Sequence, residues 1–260
     1  MPNCRLHCRL SPRDYDRGWL QFFETNGLVP EIYFVDNDLE DGQGNALGEI
    51  ADWLKSRNLR PSLHAPIGSG DPVVLDDAAK NYGRRMTGQI AAMARKFDAR
   101  VVVFHPVFDK YSVGKKFPKW VEENLDFFEG VLNRTAGLDT TIAVENIFSD
   151  QPDPIAELIS DLGSERFRFC FDVGHFNKYS SVGLSKWFKL LGDRICEIHV
   201  HDNFGKHDEH LPPGEGNFPF KKLVDFINSV DRELILTIET VDREAALRAV
   251  GNLKGFLGIE

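Results

Sequence analysis

No stretch of this chain strings together the roughly 18 apolar residues that a membrane-spanning helix requires. The amino terminus, Met1-Pro2-Asn3-Cys4-Arg5, has no apolar core of the kind a secretory signal carries. No membrane partner is therefore expected. A cytoplasmic location follows by default, and the sequon Asn133-Arg134-Thr135 then carries no weight. Cysteine is scarce: of the four, Cys4, Cys8, Cys170 and Cys196, no two form a CxxC pair. Cys4-Arg5-Leu6-His7-Cys8 would make half a zinc clip, but no second ligand pair follows at zinc-finger spacing. It reads instead as a first strand with reduced thiols. Cys170 and Cys196, set in apolar strand patterns, read as small core residues. The GxGxxG turn of dinucleotide-binding sheets is missing; Gly68-Ser69-Gly70 is too short to stand for it and reads as loop. Positive charge is in deficit, 31 Lys and Arg against 40 Asp and Glu, a net −9 with a pI near 5.4. That balance argues against broad phosphate-backbone binding, so nucleic acid is not an expected partner, although a local basic groove is compatible with it.

What the chain does have is histidine in one place. Four of its eight histidines fall between Ile198 and Gly216, in Ile198-His199-Val200-His201-Asp202-Asn203 and His207-Asp208-Glu209-His210. The segment begins as a strand and ends as a polar loop. Imidazole and carboxylate together suit a borderline or hard divalent ion. A merely solvated loop would be acidic without this concentration of histidine.

The chain length, 260 residues with 42% hydrophobic side chains, suffices for one α/β barrel. Strand-like and helix-like patterns alternate throughout. Strands are expected at Cys4–Leu10, Val29–Val35, Arg60–His64, Arg100–His105, Thr140–Asn146, Arg166–Asp172, Arg194–His201 and Glu233–Thr240. Helices are expected at Pro12–Asn26, closed by Gly27, and at Gly48–Arg57, Asp76–Phe97, Pro118–Thr135, Pro154–Leu162, Leu184–Leu191, Phe220–Val230 and Arg243–Leu257. Eight β-then-α units with no break in composition and no linker predict a single-domain (β/α)8 TIM barrel over residues 1–260.

The strand ends carry the chemistry. His64, His105, Glu145, Asp172, His199 and Glu239 stand at or near the ends of the third to eighth strands. Active sites of such barrels lie at that face. Two residues back stand Ser62, Val103, Ala143, Cys170, Glu197 and Thr237, mostly small or polar, while the other parity holds Leu63, Val144, Phe169, Phe171, Ile198 and Ile238. The alternation predicts that the candidate ligands share the inward face and the bulky residues face the helices. Any one of these polar residues would more often be structural; the set in phase is the signal. Asp172-Val173-Gly174-His175 is a DxxH step able to present both side chains to one cavity. Glu197 is placed deep in the barrel without an assigned role.

Leu63-His64-Ala65-Pro66, His105-Pro106, Val144-Glu145-Asn146, Phe171-Asp172-Val173-Gly174-His175, His199-Val200-His201-Asp202-Asn203, His210-Leu211-Pro212-Pro213-Gly214-Glu215-Gly216 and Glu239 follow one order. In that order the chain resembles the xylose isomerase-like TIM-barrel superfamily over nearly its whole length, in the branch of sugar phosphate isomerases and epimerases. The resemblance implies a divalent ion on Glu145, Asp172, His199 and Glu239, with Glu145 and Glu239 also moving protons. It implies that His64, His105, His175 and His201 line the substrate pocket. The same superfamily includes endonuclease IV, whose zinc ligands would fall on His64, His105, Glu145, Asp172, His175, His199, Asp208, His210 and Glu239. Its surroundings differ: its Thr-Ala-Gly-Gln-Gly run is Ile147-Phe148-Ser149-Asp150-Gln151 here, its Asp-Thr-Cys-His step is Asp172-Val173-Gly174-His175, and its Tyr after His-Ala-Pro is Ile67.

The expected function is a metal-dependent isomerase or epimerase of a small sugar or polyol, working through a metal-stabilised enediolate. The expected cofactor is one divalent ion, manganese or zinc, with magnesium and cobalt as further candidates. Two alternatives stand beside it: an endonuclease IV-like zinc hydrolase of abasic DNA, with His64, His105, His175, Asp208 and His210 holding further metal, and a metal-binding barrel without catalysis.

Overall fold

Eight parallel strands pair in sequence order and close on themselves: β1 (Cys4–Leu10), β2 (Val29–Tyr33), β3 (Ser62–His64), β4 (Val101–Phe104), β5 (Thr141–Glu145), β6 (Phe167–Asp172), β7 (Ile195–Val200) and β8 (Leu234–Ile238), which pairs back with β1. This is the expected (β/α)8 barrel. The computed structural model describes residues 3–35, 44–66, 77–106 and 117–259. Ile67, the Gly68–Gly70 loop reading and the expected helix start at Asp76 lie outside them. Helices follow the strands: α1 (Arg17–Asn26), α2 (Gly44–Ser56), α3 (Asp77–Phe97), α4 (Phe117–Arg134), α5 (Asp153–Leu162), α6 (Val173–Tyr179), α7 (Leu184–Leu191), α8 (Phe220–Ser229) and α9 (Arg243–Leu257). Among the described residues no helix is long and apolar enough to cross a membrane.

Two helix starts differ from expectation by more than one residue. The first helix begins at Arg17 rather than Pro12, because the Asp16 carboxylate caps it by accepting from the Trp19 amide at 3.2 Å. The second begins at Gly44, ahead of Gly48. The short α6 was not expected as a helix at all.

The parity expectation holds. Leu63, Val102, Phe104, Val144, Phe169, Phe171 and Ile198 join one large apolar cluster with helix residues such as Phe128, Trp187 and Leu253. Phe169 and Phe171 pack on Trp187 at ring separations of 6.1 and 6.0 Å. Truncating a buried aromatic there would cost about 3–5 kcal/mol. Val101, Val103, Ala143, Cys170 and Ile235 form a second, small cluster inside the barrel, with Cys196 partly buried against it. The interior is lopsided below the rim. β4 to β6 fill it with Val103, Ala143 and Cys170; β7 round to β3 fill it with Glu197, Thr237, His7, Glu31 and Ser62, all fully buried.

Candidate active site

Every candidate ligand except Asp208 and His210 is buried at or beside a strand end. His64, Glu145 and Asp172 are the last residues of β3, β5 and β6; His105 and Glu239 each stand one residue past their strands. His199 lies one residue before the end of β7. Glu145 is the hub. Its Oε2 lies 3.2 Å from His64 Nε2 and 2.9 Å from His105 Nε2, and its Oε1 lies 2.7 Å from His175 Nδ1. His199 Nδ1 faces Glu239 at 3.4 Å, Glu145 at 3.5 Å and Asp172 at 3.8 Å. The strand ends are tied together by Asn146, whose amide donates to the Asp172 carbonyl and accepts from the Asp172 amide, both at 2.8 Å.

Several of these atoms are buried without a hydrogen-bond partner among the described residues: Glu145 Oε1, His105 Nδ1, and the Nδ1 atoms of His175, His199, His201 and His210. Glu145 Oε1 and His175 Nδ1 are paired by charge at 2.7 Å, without hydrogen-bond geometry. An orphaned buried polar atom is costly unless a ligand satisfies it. The donor set, imidazole nitrogen with carboxylate oxygen, fits a divalent ion. Overlapping triads share its members, including His64–His105–Glu145, Glu145–Asp172–His175 and His201–His210–Glu239.

Charge follows from the same contacts. Burial works against the charge of Glu145, but His105 and His199 hold its carboxyl well below the usual range. Glu239 is brought down to about 2, burial being outweighed by His199, His210 and His64. Burial lowers the His175 and His199 imidazoles, yet their facing carboxylates push both well above the ordinary value. His64 is raised on balance, and His105 lowered, because burial prevails there. Carboxylates held low thus face imidazoles held high across the site, His105 excepted.

Local sequence explains the arrangement. Asp172 ends β6 and caps α6, its Oδ1 accepting from the His175 amide at 2.6 Å. This cap turns the DxxH step into one turn of helix and brings His175 round to the cavity. Asp172 also accepts from His201 Nε2, at 3.1 Å to each oxygen. His201 stacks on His210 with centroids 4.1 Å apart. A Cβ on Gly174 would stand 2.0 Å from His201 Cε1, so glycine at 174 and histidine at 201 fit as a pair. The loop beyond is organised by Asp202. Its carboxylate accepts from the amides of Asn203, Gly214 and Gly216 at 2.9 Å and of Phe218 at 3.1 Å. That clamp presents Asp208, 3.2 Å from His175 Nε2, and His210, 3.7 Å from Glu239. His207 stays exposed and takes no part.

Sequence reasoning missed residues on the first two strands. Glu31 Oε1 accepts from His199 Nε2 at 3.1 Å. Glu197 is no longer without partners: Ser62 Oγ donates to it at 2.9 Å, and so does Thr237 Oγ1. Burial, with Glu31 nearby, pushes the Glu197 carboxyl up to about 7. His7 Nδ1 lies 3.1 Å from Ser62 Oγ. Arg9 and Tyr33 complete the rim. The alternation His7/Arg9 and Glu31/Tyr33 carries the signal, but neither strand ends in a residue of metal-ligand type.

Residues 26–255 match the xylose isomerase-like TIM barrel family. The chain belongs to that family. Uncharacterized protein MJ1311 of Methanocaldococcus jannaschii is 23% identical over 204 residues, covering 76% of this chain and 70% of its own. The barrel superposes on a D-tagatose 3-epimerase-like protein with a TM-score of 0.81 at 19% identity, over 98% of this chain and 97% of that one. It superposes on the IolI protein with a bound zinc atom with a TM-score of 0.82 at 15% identity, over 98% of both chains.

Proposed function

We propose that this barrel is a divalent-metal-dependent isomerase or epimerase of a small sugar or polyol. The observation that carries the reading is the placement of His199 Nδ1 opposite Glu145, Asp172 and Glu239, at the barrel mouth. Such a donor set would hold one ion, zinc or manganese. Bound there, the ion would polarise a carbonyl and its neighbouring hydroxyl and so acidify the carbon-bound proton between them. Glu145 and Glu239 extend from strands on different sides of the mouth and are both held ionised, so each can accept a proton. One would remove the proton and the other return it. His64, His105, His175 and His201 would hold substrate oxygens. The solved neighbours support the reading by what they are, an epimerase-like protein and a zinc-holding protein.

A second reading is favoured by the crowding of ligands. His64–His105–Glu145 and the Asp208–His210 pair could hold additional zinc, as a hydrolase of abasic DNA would need. One experiment separates the readings. Free and phosphorylated ketoses, aldoses and polyol ketones are incubated with the protein over a manganese and zinc titration, beside an abasic-site duplex. Metal-dependent interconversion of a sugar supports the first reading. Chelator-sensitive nicking with every sugar unchanged replaces it with the second, and inertness in both assays leaves a binding barrel.

A further inference from the structure

The ends of β1 and β2 carry Arg9 and Tyr33. Leu6, Cys8 and Leu10 of β1 belong to the outer core, so Arg9 points into the barrel mouth as His7 points into its interior. The Tyr33 ring lies 4.9 Å from the His64 ring, at the edge of the site. The Arg9 guanidinium lies 4.0 Å over the Tyr33 ring. That contact seats the guanidinium on the ring, and its five N–H groups can still donate.

No carboxylate or carbonyl among the described residues takes those donors. Arg243, on the same groove, is engaged: it holds Asp16 at 2.7 Å. Arg9 is half-buried and permanently charged, a state that an anionic ligand would relieve. Beside it, along the seam of β1 and β8, runs a groove of about 300 Å³ lined by Arg9, Ser11, Thr240, Val241 and Arg243. Its lining residue Thr240 follows Glu239 in the chain, and Arg9 contributes to lowering the Glu239 carboxylate. Of the carboxylates on the groove, Asp16 and Asp242 are engaged as caps of α1 and α9, and Asp14 is exposed. Ser11 Oγ accepts from the Arg13 amide at 3.2 Å and keeps its own proton to donate.

We propose that Arg9, seated on Tyr33, anchors an anionic group of the substrate, a phosphate ester or a carboxylate on the end remote from the reacting carbons. The substrate is then a sugar phosphate or a sugar acid. The sugar half of this statement rests on the function proposed above; the oxyanion site does not.

The test is isothermal titration of the manganese-loaded full chain with fructose, fructose 6-phosphate, glucuronate and inorganic phosphate. Arg9→Gln, Arg9→Lys and Tyr33→Phe are titrated alongside, with metal content and melting temperature as folding controls. Wild type should bind one charged sugar about 10-fold or more tightly than fructose, the scale of a charge-assisted fork. Preference for the phosphate ester identifies a phosphate, and preference for glucuronate a carboxylate. Arg9→Gln should abolish the advantage, Arg9→Lys should restore only part of it, and Tyr33→Phe, which keeps the ring, should retain it. Equal affinity for neutral and charged sugars, or an advantage surviving in Arg9→Gln, overturns the proposal. If no sugar binds, inorganic phosphate decides: binding weakened about 10-fold by Arg9→Gln keeps the oxyanion site and removes the sugar. Phosphate binding that is absent, or unchanged in that variant, overturns the site itself.

Discussion

Glu31 grips the far side of the His199 ring: its Oε1 lies 3.1 Å from Nε2, while Nδ1 looks toward Glu145, Asp172 and Glu239. Both residues are fully buried. A carboxylate that accepts from one ring nitrogen sets which nitrogen is left as a ligand. Glu31→Ala is therefore expected to weaken zinc or manganese binding by about 10- to 100-fold, read by competition with a chromophoric chelator. Glu31→Gln keeps an acceptor oxygen and should recover most of it. Wild-type affinity in Glu31→Ala would show that the grip is dispensable.

Metal affinity should rise with pH. His175 and His199 are raised well above the ordinary imidazole value, so both hold their protons at neutral pH in the metal-free protein. Glu145 and Glu239 are held low and carry none. An ion must then displace imidazole protons, and acid favours the metal-free form. Calorimetry at pH 6.5 in buffers of different ionisation enthalpy should register about one or two protons released per ion. No net release would mean that His199 is not a ligand.

The proton-carrier role of the two glutamates has its own test. Glu145→Gln and Glu239→Gln keep an oxygen for the ion and remove the base. Each should retain most of the metal and lose sugar-converting activity by ~10²-fold or more. Wild type should also incorporate solvent deuterium beside the carbonyl. Turnover preserved in both variants, or product free of deuterium, would rule out proton transfer through these residues.

Elemental analysis gives an independent reading of the site. About one ion per chain matches the single set of Glu145, Asp172, His199 and Glu239. Three zinc ions would instead put His64, His105, His175, Asp208 and His210 to use and favour the hydrolase.

His7 offers a stability test away from the ligands. Burial, with Arg5 and Arg100 adding to it, brings its pKa to about 3 from an ordinary 6.5. A depressed base contributes fully above pH 6.5, and the contribution is lost as pH falls from 6.5 toward 3. At pH 4.5 the loss should be about 2–3 kcal/mol. In chelator-treated protein, His7→Asn should lower stability by an offset but lose this slope between pH 6.5 and 4.5, measured by urea unfolding. Parallel curves for variant and wild type would remove the assignment.

Gly174 and His201 should behave as a coupled pair. Gly174→Ala puts a methyl into the imidazole and should cost about 1–3 kcal/mol. His201→Ala vacates that space, so the double variant should cost less than the sum of the two single changes. Additive losses would show that the two do not share the space.

The sequence alone determined the barrel and most of its rim. Period-2 alternation separates inward from outward residues within a strand, because successive side chains leave opposite faces. It therefore marked His64, Glu145, Asp172, His199 and Glu239 as inward, and Phe169 and Phe171 as outward. The His-x-His-Asp-Asn and Pro-Pro-Gly-Glu-Gly segments marked the loop that carries Asp208 and His210. Periodicity says nothing, however, about which residues of different strands meet, since closure and stagger of the barrel set that. Glu31 and His199 are 168 residues apart and touch only because the barrel closes. Arg9 and Tyr33 join the mouth for the same reason. Only the tertiary structure decided that Glu145 is the hub, that Gly174 makes room for His201, and that a guanidinium with no hydrogen-bond acceptor among the described residues stands at the edge of the site.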